Sequence, residues 1–425
     1  MSQQELELPQ GWAETTVEHC VNILDGKRIP INSKERAKRI GKIPYYGATG
    51  QTGWINDFIF NEELVLIGED GAPFLDFAKD TAYVISGKSW VNNHAHVVRA
   101  IDELTSNQFL CHYLNIFDYH EIITGTTRMK LNQSSLKKIQ VPLPPLNEQK
   151  RIVSKIEELF SRIDSAKQSL EYAKLQLEQY RQSLLKSAFE GKHTEKWESV
   201  KLESITEKIL NTNPKDNPDH KFKYCDIASI DNTNHIIVNP KNFLGKDAPS
   251  RARQIIHQED VIFSTVRTYL HNFAIVPSEL NNQLCSTGFC VLRGDDSIIT
   301  KLIFYLVQTI QFESYLNPLQ RGTSYPAVRN NDILNYTFLL PPLDEQEQIV
   351  SQIEQGFSLI ENTTQIIESS LQNLQTMKMS ILKQAFEGKL VPQDPNDEPA
   401  SVLLERIKST KESQSTKQRG MKNVK

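Results

Sequence analysis

The sequence predicts a mixed α/β protein in which one plan occurs twice, each copy being a mixed α+β domain followed by a long helix. Three observations support this fold class. The segment Pro-Pro-Leu-x-Glu-Gln occurs at 144–149 and again at 341–346. The segment Ala-Phe-Glu-Gly-Lys occurs at 188–192 and at 385–389, with the same offset (341 − 144 and 385 − 188 both give 197). Between these landmarks, apolar residues recur in steps of three and four, which is the period of a coiled-coil helix.

The repeat divides the chain into variable and constant segments. The first variable domain is expected at 1–143 and the second at 193–340, because the two stretches are far less alike than the segments that follow them. The constant helical segments are expected at 144–192 and 341–392. The last stretch, 393–425, is basic, polar and poor in apolar residues, so we expect a mostly disordered tail.

Short elements are predicted inside the variable domains, which otherwise read as polar loops. Runs of β-branched and aromatic residues predict strands, and recurrence every three or four residues predicts short helices. The predicted strands are 64–67, 96–98, 260–263 and 288–292, and the predicted helices are 107–116 and 299–313. Trp12 and Trp197 are interpreted as equivalent positions at the start of the two domains.

Each constant segment is predicted to be one uninterrupted helix. Asn147 and Asp344 are candidate N-caps, while Gly191 and Gly388 are candidate residues just after the helix ends. The first seam comprises Ile152, Ile156, Leu159, Ile163, Ala166, Leu170, Ala173, Leu177, Tyr180 and Leu184. The second comprises Ile349, Ile353, Gly356, Ile360, Thr363, Ile367, Ser370, Leu374, Met377 and Ile381.

Side-chain volume indicates how the two helices pair. In one antiparallel register every central layer sets a large residue against a small one, as a filled core requires, whereas a parallel pairing leaves voids. The expected layers are Ile163 with Ser370, Ala166 with Ile367, Leu170 with Thr363, Ala173 with Ile360, and Leu177 with Gly356. This pairing predicts an antiparallel coiled coil in a pseudo-two-fold, nearly circular molecule, with Phe386 ending near Trp12. The alternative is that each helix packs only on its neighbouring domain.

Composition and motifs argue against several classes of protein. The chain has a net charge of −4, so any nucleic-acid contact must come from local basic patches. It has five scattered cysteines, an acidic N-terminus and no long apolar run, which favours a cytoplasmic protein with no disulfide framework. No Walker motif or glycine-rich dinucleotide motif is present, and His94-Ala95-His96 lacks a third metal ligand. We therefore expect neither a catalytic site nor a metal site.

Candidate DNA contacts come from basic clusters and from two loops at equivalent places. Gly permits close backbone approach, hydroxyl and basic side chains suit phosphate, and Arg and Asn suit base edges. In the first domain the candidates are Lys27, Arg28, Lys34, Arg36, Tyr46, Thr49, Asn92, Asn93, His94, Thr126, Thr127, Arg128 and Lys130. In the second they are Arg251, Arg253, Arg267, Tyr269, Asn272, Arg321, Thr323, Ser324 and Tyr325. For the basic cluster near Lys34, a solvated loop remains the alternative interpretation.

The repeated Pro-Pro-Leu-x-Glu-Gln, the long helix behind each copy and the Ala-Phe-x-Gly-Lys ending resemble the specificity subunit of Type I restriction-modification systems. The resemblance implies two target-recognition domains, each reading one half of a bipartite, asymmetric DNA target, and helices that space the domains and dock methyltransferase subunits. It also implies that loops like Gly125-Thr126-Thr127 and Gly322-Thr323-Ser324 lie against DNA.

The same resemblance implies the partners and cofactors. The partners would be double-stranded DNA, two modification (methyltransferase) subunits and the restriction/translocase subunits. This chain would bind no cofactor itself, since S-adenosylmethionine, ATP and Mg belong to the partner subunits. Two other functions stay open from the sequence: a coiled-coil scaffold without DNA binding, and the detached specificity part of a fused restriction-methyltransferase.

Overall fold

A computed structural model describes residues 8–190 and 197–409 of the chain. By its contacts the chain divides into two compact units. The first unit contains the residues up to Leu170 and those from Ser369 onward, and the second runs from Glu171 to Glu368. Each long helix therefore begins in one unit and ends in the other, and each unit holds one variable domain with parts of both helices.

The first variable domain is built on small sheets and four short helices. Its strands are β1 (Ala13–Thr16), β2 (Val21–Ile23), β3 (Ile43–Gly47), β4 (Gly50–Ile55), β5 (Phe60–Asn61), β6 (Leu64–Gly68), β7 (Ala82–Ile85), β8 (Lys88–Val91), β9 (Ala95–Ala100) and β10 (Gln140–Leu143). Its helices are α1 (Val17–Cys20), α2 (Ser33–Lys38), α3 (Asn107–Leu114) and α4 (Gln133–Lys138). One sheet has the order β2-β9-β6-β7 and another β4-β3-β8-β5. Antiparallel pairing of β1 with β10 closes the domain.

The first unit continues into the long helix α5 (Leu146–Glu190), which leads to the second variable domain. That domain has the strands β11 (Glu198–Lys201), β12 (Lys221–Cys225), β13 (Ile230–Asp231), β14 (Ile236–Ile237), β15 (Lys241–Leu244), β16 (Ala252–Ile256), β17 (Val261–Ser264), β18 (Phe273–Ile275), β19 (Gln283–Ser286), β20 (Phe289–Leu292) and β21 (Thr337–Leu340). Its helices are α6 (Thr300–Leu306), α7 (Ile310–Leu316) and α8 (Asn330–Leu334), and the second long helix is α9 (Leu343–Phe386). Strands β15-β12-β19-β16 and β18-β17-β20 form its main sheets, and β11 pairs with β21 as β1 does with β10.

The predicted strands are all found, but the single helix expected at 299–313 is two helices. The break falls at Thr309, whose hydroxyl accepts a hydrogen bond from the Phe312 amide and so caps α7. Periodicity did not reveal the break because the apolar positions on both sides keep a helical spacing.

The expected N-caps of the long helices are also displaced. Both helices begin at the leucine of the motif, so Asn147 and Asp344 lie in the first turn. The carbonyl of Pro145 accepts the Gln149 amide, and the carbonyl of Pro342 accepts the Gln346 amide. The second proline of each pair therefore provides the first helical acceptor.

The end of α9 follows the prediction. Gly388 has φ +69°, a conformation that favours glycine, and its amide donates to the Ala385 carbonyl. The next amide, that of Lys389, donates to Gln384, which completes a Schellman motif. The equivalent position in the first helix, Gly191, lies outside the described residues.

The helices run antiparallel within each unit. In the second unit, Lys174 Nζ lies 2.6 Å from Glu368 Oε1, and the Arg181 guanidinium lies 3.9 Å from the Phe357 ring centroid. In the first unit, Lys378 Nζ lies 2.7 Å from Asp164 Oδ1. Residue numbers rise along α5 as those of their partners fall along α9, which confirms the predicted direction.

The predicted register is wrong by one heptad. A Cβ built on Gly356 would lie 2.3 Å from Cδ2 of Leu184, so this glycine faces Leu184 and not Leu177 (184 − 177 = 7). The layers expected for Ile163, Ala166, Leu170, Ala173 and Leu177 are displaced by the same step. A large residue still lies opposite a small one in four of these five layers, because the apolar pattern repeats every seven residues, whereas Ile163 then lies opposite Met377.

The repeated motif has the same contacts in both units, as the equivalence of the two tryptophans predicts. The indole of Trp12 donates to Glu148 at 3.1 Å, and that of Trp197 donates to Glu345 at 2.8 Å. The next residue of the motif is a fully buried glutamine whose amide donates to the first proline's carbonyl, Gln149 to Pro144 and Gln346 to Pro341. The motif thus joins the start of each variable domain to the start of its helix.

The expectation of a disordered tail from residue 393 is wrong for its first part. Residues 400–409 are helical, and Ala400, Leu403 and Leu404 are buried in the core of the first unit. Asp397 accepts a hydrogen bond from Arg151 at 2.7 Å, and the Ala400 amide donates to Gly11. A few apolar side chains are enough to order this helix, because the core of the first unit already provides an apolar surface for them to pack on. Residues 410–425 lie outside the described part.

The residues around Pro9 and those around Gly388 are neighbours in the first unit, as predicted from the duplication. A Cβ on Gly388 would lie 2.5 Å from Cγ of Pro9. Phe386 lies with its ring centroid 5.3 Å from that of Phe109 and packs on the same core as Trp12.

Candidate nucleic-acid interface

Two exposed loops with the same geometry are the main feature of the candidate interface. The first runs from Thr124 to Lys130 and the second from Arg321 to Ala327, at the offset of the repeat (321 − 124 = 197). The two end residues of each loop exchange backbone hydrogen bonds, at 2.8–2.9 Å in both cases. The loops thus keep one shape although the domains that carry them differ in sequence.

A glycine sets the turn in each loop. Gly125 has φ +88° and Gly322 has φ +95°, and a side chain at either position would meet a backbone oxygen across the loop. The hydroxyl residues that follow are exposed: Thr126 and Thr127 in the first loop, and Thr323 and Ser324 in the second. Backbone and hydroxyl groups presented in this way are suited to phosphate contact.

Each loop is held on its domain by the same backbone contact. The amide of Gly71 donates to Met129, and the amide of Arg267 donates to Pro326. Gly71 has φ +68° and Arg267 has φ +50°, so the second domain places a non-glycine residue where the first uses glycine. Such a conformation is unfavourable for arginine and is often found at functional positions.

The first unit brings Asn92, His94 and Arg128 together beside its loop. Asp70 accepts from His94 Nδ1 at 2.7 Å and from Arg128 Nη2 at 2.9 Å. The carbonyl of Tyr46 accepts the Asn92 amide, which links the β3–β4 hairpin to the same surface. The side chain of Arg128 keeps 62% of its surface exposed, so the ion pair orients its guanidinium without burying it.

A buried polar network lies beneath this surface. His96, which is 1% exposed, contacts Asp25 through Nδ1 at 2.7 Å and the carbonyl of Leu131 through Nε2 at 2.9 Å. Gln133 also donates to Asp25 at 2.9 Å. Since Leu131 directly follows the loop, these bonds anchor the base of the loop to the sheet.

Arg28, one of the candidate DNA contacts, belongs to this network. Its guanidinium donates to Glu69 and to the carbonyl of Ala95, both at 2.7 Å, and only 14% of the side chain is exposed. Glu69 also accepts the Leu131 amide through its own carbonyl. Arg28 therefore positions the loop from inside the domain.

Acidification is expected to weaken this network. Burial opposes the charge of Asp25, but hydrogen bonds from His96, Gln133 and the Val97 amide outweigh it, so the pKa of Asp25 lies below its ordinary value of 3.8. A lowered folded pKa contributes stability above the unfolded pKa, and this contribution is lost as the pH falls through the folded pKa. Asp25→Asn should cost about 3 kcal/mol of unfolding free energy at pH 7, because it leaves buried donors without their charged acceptor.

Urea denaturation at pH 7 and below pH 4 measures this effect. The stability difference between the wild type and Asp25→Asn should shrink at the lower pH, and the exposed Asp102→Asn serves as a matched control with little effect at either pH. A difference that stays constant down to pH 3 would contradict the assignment.

In the second unit, Arg267 joins its turn to the loop. Its guanidinium donates to the Ser324 carbonyl at 3.1 Å and lies 4.6 Å from the ring centroid of Tyr325. Tyr325 is 69% exposed and Tyr269, on the same turn, is 48% exposed. The carbonyl of Asn272 accepts the Ser264 amide at the end of the turn. This unit thus presents aromatic rings where the first presents a histidine and an arginine.

Several of the remaining candidate DNA contacts do not belong to the residue clusters beside the two loops. Arg36 stacks on the buried ring of Tyr45 at 4.6 Å, away from the loop contacts described above. Arg253 donates to Asn213 and to the Ser250 carbonyl, and Arg321 pairs with Asp332 at 2.6 Å, so both are engaged within the domain. The hydrogen bond from Arg321 keeps the pKa of Asp332 below its ordinary value. The other candidates are exposed: Lys27, Lys34, Thr49, Asn93, Lys130 and Arg251.

Sequence reasoning missed the acidic and amide groups that hold the site. Asp25, Glu69, Asp70 and Gln133 orient the predicted residues, yet none belongs to a motif. A weak signal was present in Gly68-Glu69-Asp70-Gly71, a polar turn directly after a fully apolar strand.

Comparison with known proteins gives the same family over most of the chain. The model of the Type I restriction modification DNA specificity domain matches residues 9–175 and 194–370. The Type I restriction enzyme EcoDI specificity subunit of Escherichia coli is 25% identical, with 95% of this chain and 96% of that protein covered. The HsdS subunit from Thermoanaerobacter tengcongensis superposes with a TM-score of 0.57 at 19% identity, covering 92% of this chain and 100% of that one. A chain from a structural study of the assembly of a type I R-M system gives a TM-score of 0.67 at 18% identity, over 90% of this chain and 100% of that one.

Proposed function

This chain belongs to the family of Type I restriction-modification DNA specificity subunits, and from that premise we propose that each of its two domains reads one half of a bipartite, asymmetric DNA target. The chain is a DNA-recognition subunit with two target-recognition domains, and it is not itself an enzyme. Neither a scaffold without DNA binding nor a fragment of a fused methyltransferase is favoured, because the family match and the curated relative both extend across the two domains and the helices.

The observation that carries the proposal is the pair of equivalent loops. Two domains with little sequence in common keep the same backbone bridge, the same left-handed glycine and a pair of exposed hydroxyl residues at one offset. Because both domains carry the same loop, the loop is suited to a part of the partner that does not depend on sequence. In DNA that part is the phosphate backbone. The side chains that differ, His94 and Arg128 against Arg267 and Tyr325, are then suited to reading different bases.

The long helices are proposed to space the two domains and to dock two modification subunits. On α9 the side chains of Leu359 and Ile366, one heptad apart, keep 63% and 64% of their surface exposed, although both are large and apolar. Tyr172 and Leu175 on α5 are exposed to 61% and 56%. Exposed apolar side chains on a helix suit a protein partner.

The complete assembly is proposed to include restriction/translocase subunits and to act in the cytoplasm. S-adenosylmethionine, ATP and Mg are assigned to the partner subunits. Among the described residues no helix is long and apolar enough to span a membrane.

Arg128 provides a direct test of the DNA-facing role of the first loop. If its exposed guanidinium contacts phosphate, Arg128→Ala should weaken binding to all duplexes about threefold to tenfold and should lower the slope of log affinity against log salt by about 1. If it reads a guanine, the loss should be about 1–3 kcal/mol at a single position. Fluorescence anisotropy with target and unrelated duplexes at two salt concentrations distinguishes these outcomes.

The control is Arg162→Ala, which removes an arginine of similar exposure from α5. Its affinity and salt slope should match those of the wild type. Unchanged affinity and slope for Arg128→Ala would remove this loop from the interface.

A further inference from the structure

The fifth residue differs in chemistry between the two equivalent loops, although both loops hold it in the same way. It is Arg128 in the first domain and Tyr325 in the second, at the offset of the repeat (325 − 128 = 197). In both loops the end residues that flank it exchange the same backbone hydrogen bonds. The last residue of each loop also bridges to the segment that follows a buried strand of its domain. The two side chains therefore leave the backbone at equivalent positions.

Each of these two side chains is held by a charged neighbour that matches its chemistry. Arg128 pairs with the carboxylate of Asp70 at 2.9 Å. The ring of Tyr325 lies under the guanidinium of Arg267, 4.6 Å from the ring centroid, and this guanidinium also donates to the Ser324 carbonyl. A guanidinium over an aromatic face is attracted by the ring quadrupole, so it restricts the orientation of the ring. Tyr325 is thus held on one face by Arg267 while most of its surface stays exposed.

The turn that carries Arg267 adds further apolar surface to the second domain. Tyr269 and Leu270 on this turn are large side chains that are exposed as well. The hydroxyls of Thr323 and Ser324, which are also exposed, are suited to phosphate, so phosphate contact does not need the aromatic ring next to them. Exposed apolar side chains beside a binding loop indicate a partner that offers apolar groups there.

An intact DNA duplex offers few apolar groups to such a ring. The faces of the bases are covered by stacking, and the edges of the bases in both grooves carry hydrogen-bond donors and acceptors. The exception is the C5-methyl group of thymine, which lies in the major groove and distinguishes an A·T pair. Apolar side chains recognise thymine through contact with this methyl group, whereas a guanidinium at the same loop position suits phosphate or guanine.

We propose that Tyr325 is a specificity-determining residue, whose ring contacts a thymine methyl group in the half of the target that the second domain reads. This inference rests on the proposed function and goes beyond it by assigning one side chain to one type of base. The ring alone makes the contact, so the phenolic hydroxyl is not required. The contact involves no charge and releases no counterion from DNA, so its contribution to affinity should not depend on salt.

Replacing thymine with deoxyuridine, which lacks only the methyl group, tests the proposal. The target is first identified by sequencing methylated motifs, and each thymine in the half-site of the second domain is then replaced in turn. In fluorescence anisotropy with the full chain, the wild type should lose about fourfold in affinity at one thymine, which corresponds to about 0.8 kcal/mol for one buried apolar carbon. Tyr325→Ala should bind the thymine duplex about tenfold more weakly than the wild type and should not distinguish it from the deoxyuridine duplex. Its slope of log affinity against log salt should equal that of the wild type.

Two control variants accompany this experiment. Tyr325→Phe keeps the ring and should bind both duplexes as the wild type does, and so should Tyr180→Ala, which removes a tyrosine of α5 that is also more than half exposed. An equal loss of affinity in Tyr325→Phe and Tyr325→Ala would assign the hydroxyl to a phosphate and overturn the inference. A wild-type affinity that no deoxyuridine changes, or a deoxyuridine effect that persists in Tyr325→Ala, would overturn it as well. These outcomes leave the proposed function intact, whereas a wild type that does not distinguish its target from an unrelated duplex would contradict both.

Discussion

Replacing Ile360 with aspartate is expected to separate α5 from α9 in the second unit. The side chain of Ile360 is 7% exposed and lies beside Leu177, in the seam where the two helices meet. A carboxylate there is desolvated, so the free energy of unfolding should fall by about 3–5 kcal/mol. Urea denaturation followed by circular dichroism measures the loss, because the long helices contribute much of the helical signal.

The neighbouring residue provides the control. Leu359 precedes Ile360 on α9 but is 63% exposed, so Leu359→Asp should change stability by no more than about 0.5 kcal/mol. Under the proposed docking role, this variant should instead lose co-purification with the modification subunits. Equal destabilisation by the two substitutions would show that Ile360 is not part of a buried seam.

Replacing residues 13–143 with the equivalent stretch of another family member should change one half of the recognised DNA target and leave the other half intact. The structure favours such a graft, because Ala13 pairs with Leu143 at the closed end of the domain, so the two joints are adjacent. Trp12 and Glu148, which join the domain to α5, stay outside the exchanged stretch. Sequencing of methylated motifs in cells that carry the chimera and its partner subunits measures the result.

The reciprocal exchange is the matching control. Strand β11 pairs Glu198 with Leu340, so residues 198–340 form the corresponding graft in the second unit. This exchange should change only the other half of the target. A change in both halves from either graft would mean that the two domains do not read DNA independently.

Much of the architecture could be predicted from the sequence because the information is local or repeated. The offset of 197 residues identified two equivalent domains, two equivalent helices and two equivalent loops. Heptad spacing predicted the helices, and the sizes of seam residues predicted their antiparallel direction. The hydroxyl loops were found in the same way, since Gly125 and Gly322 occupy equal positions in the repeat.

The contacts of the charged residues could not be predicted from the sequence. Arg28 and Arg128 look alike as candidates for DNA contact, but Arg28 turns inward because Glu69, 41 residues further along the chain, supplies its acceptor. Arg253 turns to Asn213 for the same reason. The residue type predicts that a guanidinium needs a partner, but not which side of the domain the partner lies on.

By itself the sequence determined the duplication, the helices and their direction, because each follows from local propensity, side-chain volume or periodicity. Only the tertiary structure decided the register of the helix pair, since a heptad pattern is unchanged by a shift of seven residues. Contacts outside the seam select one register, among them Arg181 on Phe357 and Lys378 on Phe160. The tertiary structure also decided the fold of the tail. Leu403 and Leu404 are buried only because the core they pack on is built from residues far away in the chain.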